Sequence, residues 1–401
     1  MPALLAAGAL TVAASCGGGA SGTAGVQTVR PHQVTPTTTT GQPTSIVQLG
    51  DSIASGEGTY YGYTYNASTG KWTGGDLNVM WDPPYNGCHD ASYAYVHHLA
   101  AYYTANPPQV AQFACTGATF ANGISAPEVS DGTQLRPAEF GNWDTKQNLN
   151  PAYDAAKPDL VLVTLGADDV QFVSIVEDCI ENGYESYFHL ATLACVNGNP
   201  GSTIQKDFFN YLPTLEQNDK TLVKWIEARA QADGTKAPKI VFTTYPNPLP
   251  PDGGPNNCPD ENWLYQTQVA YLATLVTQLN HDITSTLQGL KDPNVAVADV
   301  SGAYTPTGEN HQWCQPDPWA YGLSIYSVYS PSSFKSQAPF HPTPDGQASI
   351  ANYVIPTLLK LFGGPLPTSP TSAPATAPST TSSTTTSSSS PPSSSTTSAT
   401  G

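Results

Sequence analysis

Ser52 and His341 are the two side chains whose surroundings suit them to nucleophilic chemistry. Ser52 closes the turn Gly50-Asp51-Ser52, which stops the apolar run SIVQL at residues 45–49. A serine just past a strand stands where a following helix can aim backbone N–H groups at developing negative charge. Its hydroxyl is a weak nucleophile until a base takes the proton. His341, in Phe340-His341-Pro342-Thr343, offers that base near the start of a helix. Two more strand-like runs end in turn residues. VAQFA (110–114) is followed by Cys115-Thr116-Gly117, and LVLVTL (160–165) by Gly166-Ala167-Asp168-Asp169. All four segments converge on one edge of a sheet, and that convergence is the main functional signal of the sequence.

The elements that must hold these residues alternate. KIVFTT (239–244) and VAVA (295–298) are the fourth and fifth strand-like runs. The continuous, β-branched character of the third and fourth fits strands buried on both faces, as in a parallel sheet. Helical spacing appears over 93–103 and 215–232, and Val269, Leu272, Leu275, Val276, Leu279 and Ile283 form an apolar stripe near 3.6 periodicity. Thr343-Pro344, a cap followed by a first-turn proline, opens the last helix. The pattern predicts an α/β protein, a three-layer α/β/α sandwich on a mostly parallel sheet, with its site at the carboxyl ends of the strands.

Setting Cys16 aside leaves six cysteines, Cys88, Cys115, Cys179, Cys195, Cys258 and Cys314, without any zinc-type spacing. An even six fits disulfides in an exported protein, and fifteen pairings remain open.

In their order and content these blocks resemble the GDSL/SGNH hydrolase family, particularly the secreted actinomycete esterases and lipases with three disulfides, over residues 45–361. The resemblance implies the flavodoxin-like fold of that family and an esterase or lipase that hydrolyses carboxylic esters through an acyl-enzyme, with no cofactor. It implies Ser52 as nucleophile, His341 as base, and the N–H groups of Ser52 and Gly117 in the oxyanion hole. It also implies the pairs Cys88–Cys115, Cys179–Cys195 and Cys258–Cys314. No Gly-x-Ser-x-Gly is present, which separates the chain from the other common serine-hydrolase architecture.

Two positions depart from the family pattern. Ala338 stands where an aspartate often precedes the histidine by three residues, so a backbone carbonyl there is expected to orient His341 in a Ser-His dyad. Asp168 stands where the family carries the asparagine that donates to the oxyanion. An ionised carboxylate donates nothing, so Asp168 is expected to be a protonated donor.

The 401 residues carry 14 Lys+Arg against 31 Asp+Glu, a net charge of −17, which argues against nucleic-acid binding. Residues 1–15 read as a signal segment ending at Cys16, which resembles a lipobox cysteine that would carry a lipid. Residues 16–44 read as a flexible tether, 45–363 as the hydrolase domain, and 364–401, rich in Ser, Thr and Pro, as a disordered tail. The expected product is a monomer on the outer face of the cell membrane, acting on a small-molecule or lipid ester. A rival reading keeps the fold for non-catalytic glycan binding in the cell envelope; a carbohydrate O-acetylesterase is the alternative within the enzyme class. The aromatic stretch 60–85 fits either a substrate groove or a loop folded on itself. The segment 179–195 reads as a disulfide-closed surface loop. His89-Asp90, His97-His98 and His281-Asp282 lack convergent metal spacing and read as structural or solvent-facing.

Overall fold

The computed structural model of the chain describes residues 41–59, 63–66, 71–74, 91–124, 129–130, 135–136, 151–187, 195–196, 199–200, 203–254, 264–322 and 340–364. The signal segment, Cys16 and the tail after residue 364 lie outside them. Residues 41–44, the end of the expected tether, are held to the domain: Gln42 donates to the Asn106 carbonyl (2.6 Å), and Thr44 donates through its N–H (2.8 Å) and its hydroxyl to Asp159.

Five strands build the central sheet: β1 (Ser45–Gly50), β2 (Gln109–Gln112), β3 (Leu160–Thr164), β4 (Lys239–Thr243) and β5 (Val295–Ala298). Their spatial order is β2-β1-β3-β4-β5, with every neighbouring pair parallel. All five strands expected from the sequence are present, within two residues at each end. β1 and β3 are buried along their whole length, as continuous apolar strands must be when helices cover both faces.

Successive side chains of a strand point to opposite faces, so one sheet feeds two cores. Ile46, Leu160, Leu162 and Val241 pack on one face with α2 (Tyr95–Tyr102) and α7 (Pro344–Phe362). Val47, Val161, Val163, Ile240 and Phe242 pack on the other with α4 (Phe172–Tyr187), α5 (Thr203–Ala232) and α6 (Gln266–Gly289). Each fully buried Val, Leu, Ile or Phe contributes about 1.5–3 kcal/mol. Among the described residues two further α-helices are short: α1 (Ser52–Ser55) follows β1, and α3 (Pro151–Ala156) precedes β3. The fold is therefore the three-layer α/β/α sandwich expected.

Two expectations are corrected. The helix expected over 215–232, α5, begins at Thr203 rather than near residue 215 and runs through Pro213. A proline inside a helix costs about 3 kcal/mol, and burial of Phe208, Leu212, Leu215, Leu222 and Ile226 on one face offsets it. The segment after Cys179 is not a surface loop as far as residue 187, because it continues α4. Ile175, Val176 and Cys179 form its buried stripe, and the Cys179–Cys195 disulfide (Cα–Cα 5.2 Å) is itself buried at both ends. Cys115 and Cys314 are also disulfide-bonded; Cys88 and Cys258, their expected partners, lie outside the described residues.

Candidate active site

In an open parallel sheet, ligands bind beyond the carboxyl ends of the strands where the strand order reverses. Here that point lies between β1 and β3. Gly50 ends β1 with φ 141°, and a Cβ there would sit 2.1 Å from the Thr164 carbonyl oxygen, so only glycine lets the two strand ends close. The Asp51 N–H donates to that same carbonyl (2.9 Å), and the Cys115 N–H donates to the Gly50 carbonyl (2.9 Å). The turns after β1, β2 and β3 are thereby tied together.

Ser52 is the first residue of α1, and Asp51 caps that helix by accepting the Ile53 N–H (3.0 Å), worth about 1 kcal/mol. Across the crevice, His341 precedes α7. Its carbonyl accepts from the Tyr321 N–H (2.9 Å), and the Tyr321 carbonyl accepts from the Phe340 N–H (3.0 Å). Phe340 is held at φ 63°, a conformation unusual for a bulky residue. The Thr343 hydroxyl caps α7 by accepting the Gly346 N–H (3.2 Å), with Pro344 at the first turn, as the sequence led one to expect. One buried side chain joins both halves: Gln347 donates to the Ile53 carbonyl (3.0 Å) and accepts the Tyr95 N–H (2.9 Å). The result is a distance of 2.7 Å between His341 Nε2 and Ser52 Oγ.

Asp168 and Asp169 act electrostatically on Asp51, the residue before Ser52. Burial, then the charge Asp168 carries when ionised, push the Asp51 carboxyl well above its ordinary value. Asp51 accepts a hydrogen bond from the Tyr245 hydroxyl, whose oxygen accepts the Ala167 N–H (3.0 Å). Burial and the Asp51 charge push that phenol well above 10, so it stays a donor. Asp169 accepts the Phe120 N–H (3.0 and 3.2 Å to its two oxygens), and burial pushes it up to about 6.

A nucleophile bonded to an imidazole at a switch point is the geometry of acyl transfer. The model of the GDSL-like lipase/acylhydrolase family matches residues 46–354. The chain belongs to that family. It is accordingly a carboxylic ester hydrolase. Among solved structures, this GDSL hydrolase is similar to phospholipase A1 from Streptomyces albidoflavus NA297, at 18% identity and TM-score 0.42, over 79% of this chain and 98% of that one. It is similar to an extracellular lipase from Streptomyces rimosus at 18% identity and TM-score 0.43, over 80% and 99%. The acetylxylan esterase Axe2 from Geobacillus stearothermophilus is 14% identical with TM-score 0.35, over 82% and 100%. No curated protein sequence matches the chain.

Of the residues singled out in the sequence, Ser52 and His341 meet, and Gly117 and Asp168 lie on the turns after β2 and β3. Ala338 and most of the aromatic stretch fall outside the described residues; Tyr63, Tyr65 and Trp72 lie on a two-stranded antiparallel ladder. His97 bonds Gln112 (2.8 Å), His98 is largely buried and His281 is exposed, while His89 falls outside. Among the described residues no group of three or more His, Cys, Asp or Glu is placed to hold a metal ion, and no helix is long and apolar enough to cross a membrane.

Four residues of this GDSL hydrolase's site were not picked out as functional from the sequence: Glu57, Tyr245, Gln347 and the inward-facing Asp51. Tyr245 carried a usable signal, since it follows β4 just as Ser52 and Asp168 follow β1 and β3. Gln347 carried none, because its role depends on two backbone groups distant in the chain.

Proposed function

We propose that this hydrolase is an exported serine esterase working through a Ser52–His341 dyad. The 2.7 Å contact between Oγ and Nε2 is the observation that carries the reading. Ser52 Oγ attacks the ester carbonyl as its proton passes to Nε2, forming the Oγ–C bond and moving the carbonyl π pair onto oxygen. Collapse breaks the C–O bond to the alcohol, which leaves with the proton from Nε2. Water then repeats the sequence on the acyl-enzyme and releases the acid, so the reaction balances with water alone.

The N–H groups of Ser52 and Gly117, with Asp168 as a neutral acid, form the proposed oxyanion hole. Ser52 N–H is suited to this because the first N–H groups of a helix have no partner within it. The neutral form is required of Asp168 because an ionised carboxylate has no proton to donate to the oxyanion. The lipobox-like Cys16 and the cysteine count support export and a lipid anchor on the outer face of the membrane, with the domain acting as a monomer.

The test is direct. A fluorophosphonate probe labels Ser52, and Ser52→Ala lowers hydrolysis of p-nitrophenyl esters by about 10⁴-fold or more. Retention of hydrolysis in Ser52→Ala would overturn the mechanism, and a panel of esters from acetyl to palmitoyl reads the acyl length.

A further inference from the structure

We propose that Glu57 is a positioning residue for His341, holding a fixed negative charge beside the ring nitrogen that receives the Ser52 proton. This rests on the dyad reading and adds to it a group that neither the dyad nor the oxyanion hole contains.

Glu57 stands in Gly56-Glu57-Gly58, just past α1, and its N–H donates to the Ser52 carbonyl (3.1 Å). The residue is 4% exposed. Its Oε2 lies 3.9 Å from His341 Nε2 and accepts a hydrogen bond from the Thr116 hydroxyl, next to Gly117. Three segments of the site, the turns after α1 and β2 and the segment that carries His341, therefore meet at one carboxylate. Gly58 keeps this corner tight: at φ 89°, a Cβ there would fall 2.9 Å from the Tyr321 ring and 3.2 Å from His341 Cβ. A glutamate is almost never this buried unless partnered, and the interior next to a nucleophile is an unfavourable place for a charge without a role.

The chemistry supplies that role. In both half-reactions the imidazole passes from neutral to cationic as Nε2 takes a proton from Ser52 or from water. A charge fixed nearby favours the cation as it forms and needs no reorganisation at that moment. Glu57 does not itself take the proton, since 3.9 Å is beyond hydrogen-bond reach. It also approaches Nε2, whereas the acid of a catalytic triad holds Nδ1. Tyr321 also stands at this corner, and substitution at 57 leaves it in place.

The experiment compares the full-length wild type with Glu57→Gln and Glu57→Asp, using a short-chain p-nitrophenyl ester from pH 5 to 9. A wild type that neither hydrolyses esters nor labels at Ser52 overturns the dyad reading and this proposal together. With an active wild type, Glu57→Gln is expected to lower kcat about 10- to 100-fold with KM within about twofold. Glu57→Asp, with the charge drawn back, should fall between the two in kcat. Unchanged kcat in Glu57→Gln, or a KM that rises as much as kcat falls, overturns the proposal. If Glu57→Gln does not fold, Glu57→Asp decides: intermediate values support the proposal, and wild-type values refute it.

Discussion

Replacing Asp169 with asparagine should alter how stability depends on pH, with a sign opposite to that of a salt-bridged surface carboxylate. Burial lifts this carboxyl from 3.8 to about 6. Below pH 3.8 it is protonated in the folded and unfolded chains alike. Between that value and about 6 the unfolded chain has released the proton and the folded chain keeps it, so each pH unit removes about 1.4 kcal/mol. Over roughly two units, stability that is fully present in acid falls by about 3 kcal/mol as pH rises through the folded-state value. Asp219, buried and raised by desolvation and then by the Asp169 charge, acts in the same direction. His98 opposes both: burial lowers it from 6.5 to about 4, so across that interval the unfolded chain binds the extra proton and stability rises with pH. Because these contributions partly cancel, the wild-type curve alone decides nothing. Urea unfolding of wild type and Asp169→Asn, stepped from pH 4 to 8, reads the contribution of this carboxyl together with the effect of its charge on Asp219, since Asn still accepts the Phe120 N–H. The variant should gain about 3 kcal/mol on the wild type between pH 4 and 7. A difference that stays constant, or turns toward the wild type as pH rises, would refute the reasoning.

Two more outcomes concern the scaffold of the dyad. Gln347→Leu leaves the Ile53 carbonyl and the Tyr95 N–H buried without their partner, which should cost about 2–5 kcal/mol in denaturant unfolding and lower kcat as α1 and α7 loosen. Gly58→Ala forces a side chain against Tyr321 and the His341 Cβ from a left-handed backbone. It should lower kcat about 10- to 100-fold through displacement of the imidazole, whereas an unchanged rate would show that the corner yields freely.

Asp168 and Asp51 together explain why a site with so many acids needs its protons counted. When ionised, Asp168 disfavours charge on Asp51, and Asp51 in turn disfavours charge on Tyr245. The chain from Ala167 N–H through Tyr245 to Asp51 is satisfied with the phenol protonated. It anchors the turn that carries Asp168 to the cap of the helix that carries Ser52.

Local chemistry was enough to find the five strands of the central sheet and four of the helices. Continuous β-branched runs located β3 and β4, Gly50-Asp51-Ser52 marked the end of β1, and Thr343-Pro344 marked the start of α7, because strand burial, turn chemistry and capping act over a few residues. Neighbouring residues alone did not reveal that α5 passes through Pro213, since distant core contacts offset the local penalty. Nor did they show that Cys179 continues a buried helix. Packing alone decided the site's fine structure: the Oγ–Nε2 distance, the Glu57 carboxylate beside Nε2, the Gln347 bridge, and the acids raised by burial. Each depends on groups far apart in the chain that meet only once the sheet has ordered its strands and the helices have closed over both faces.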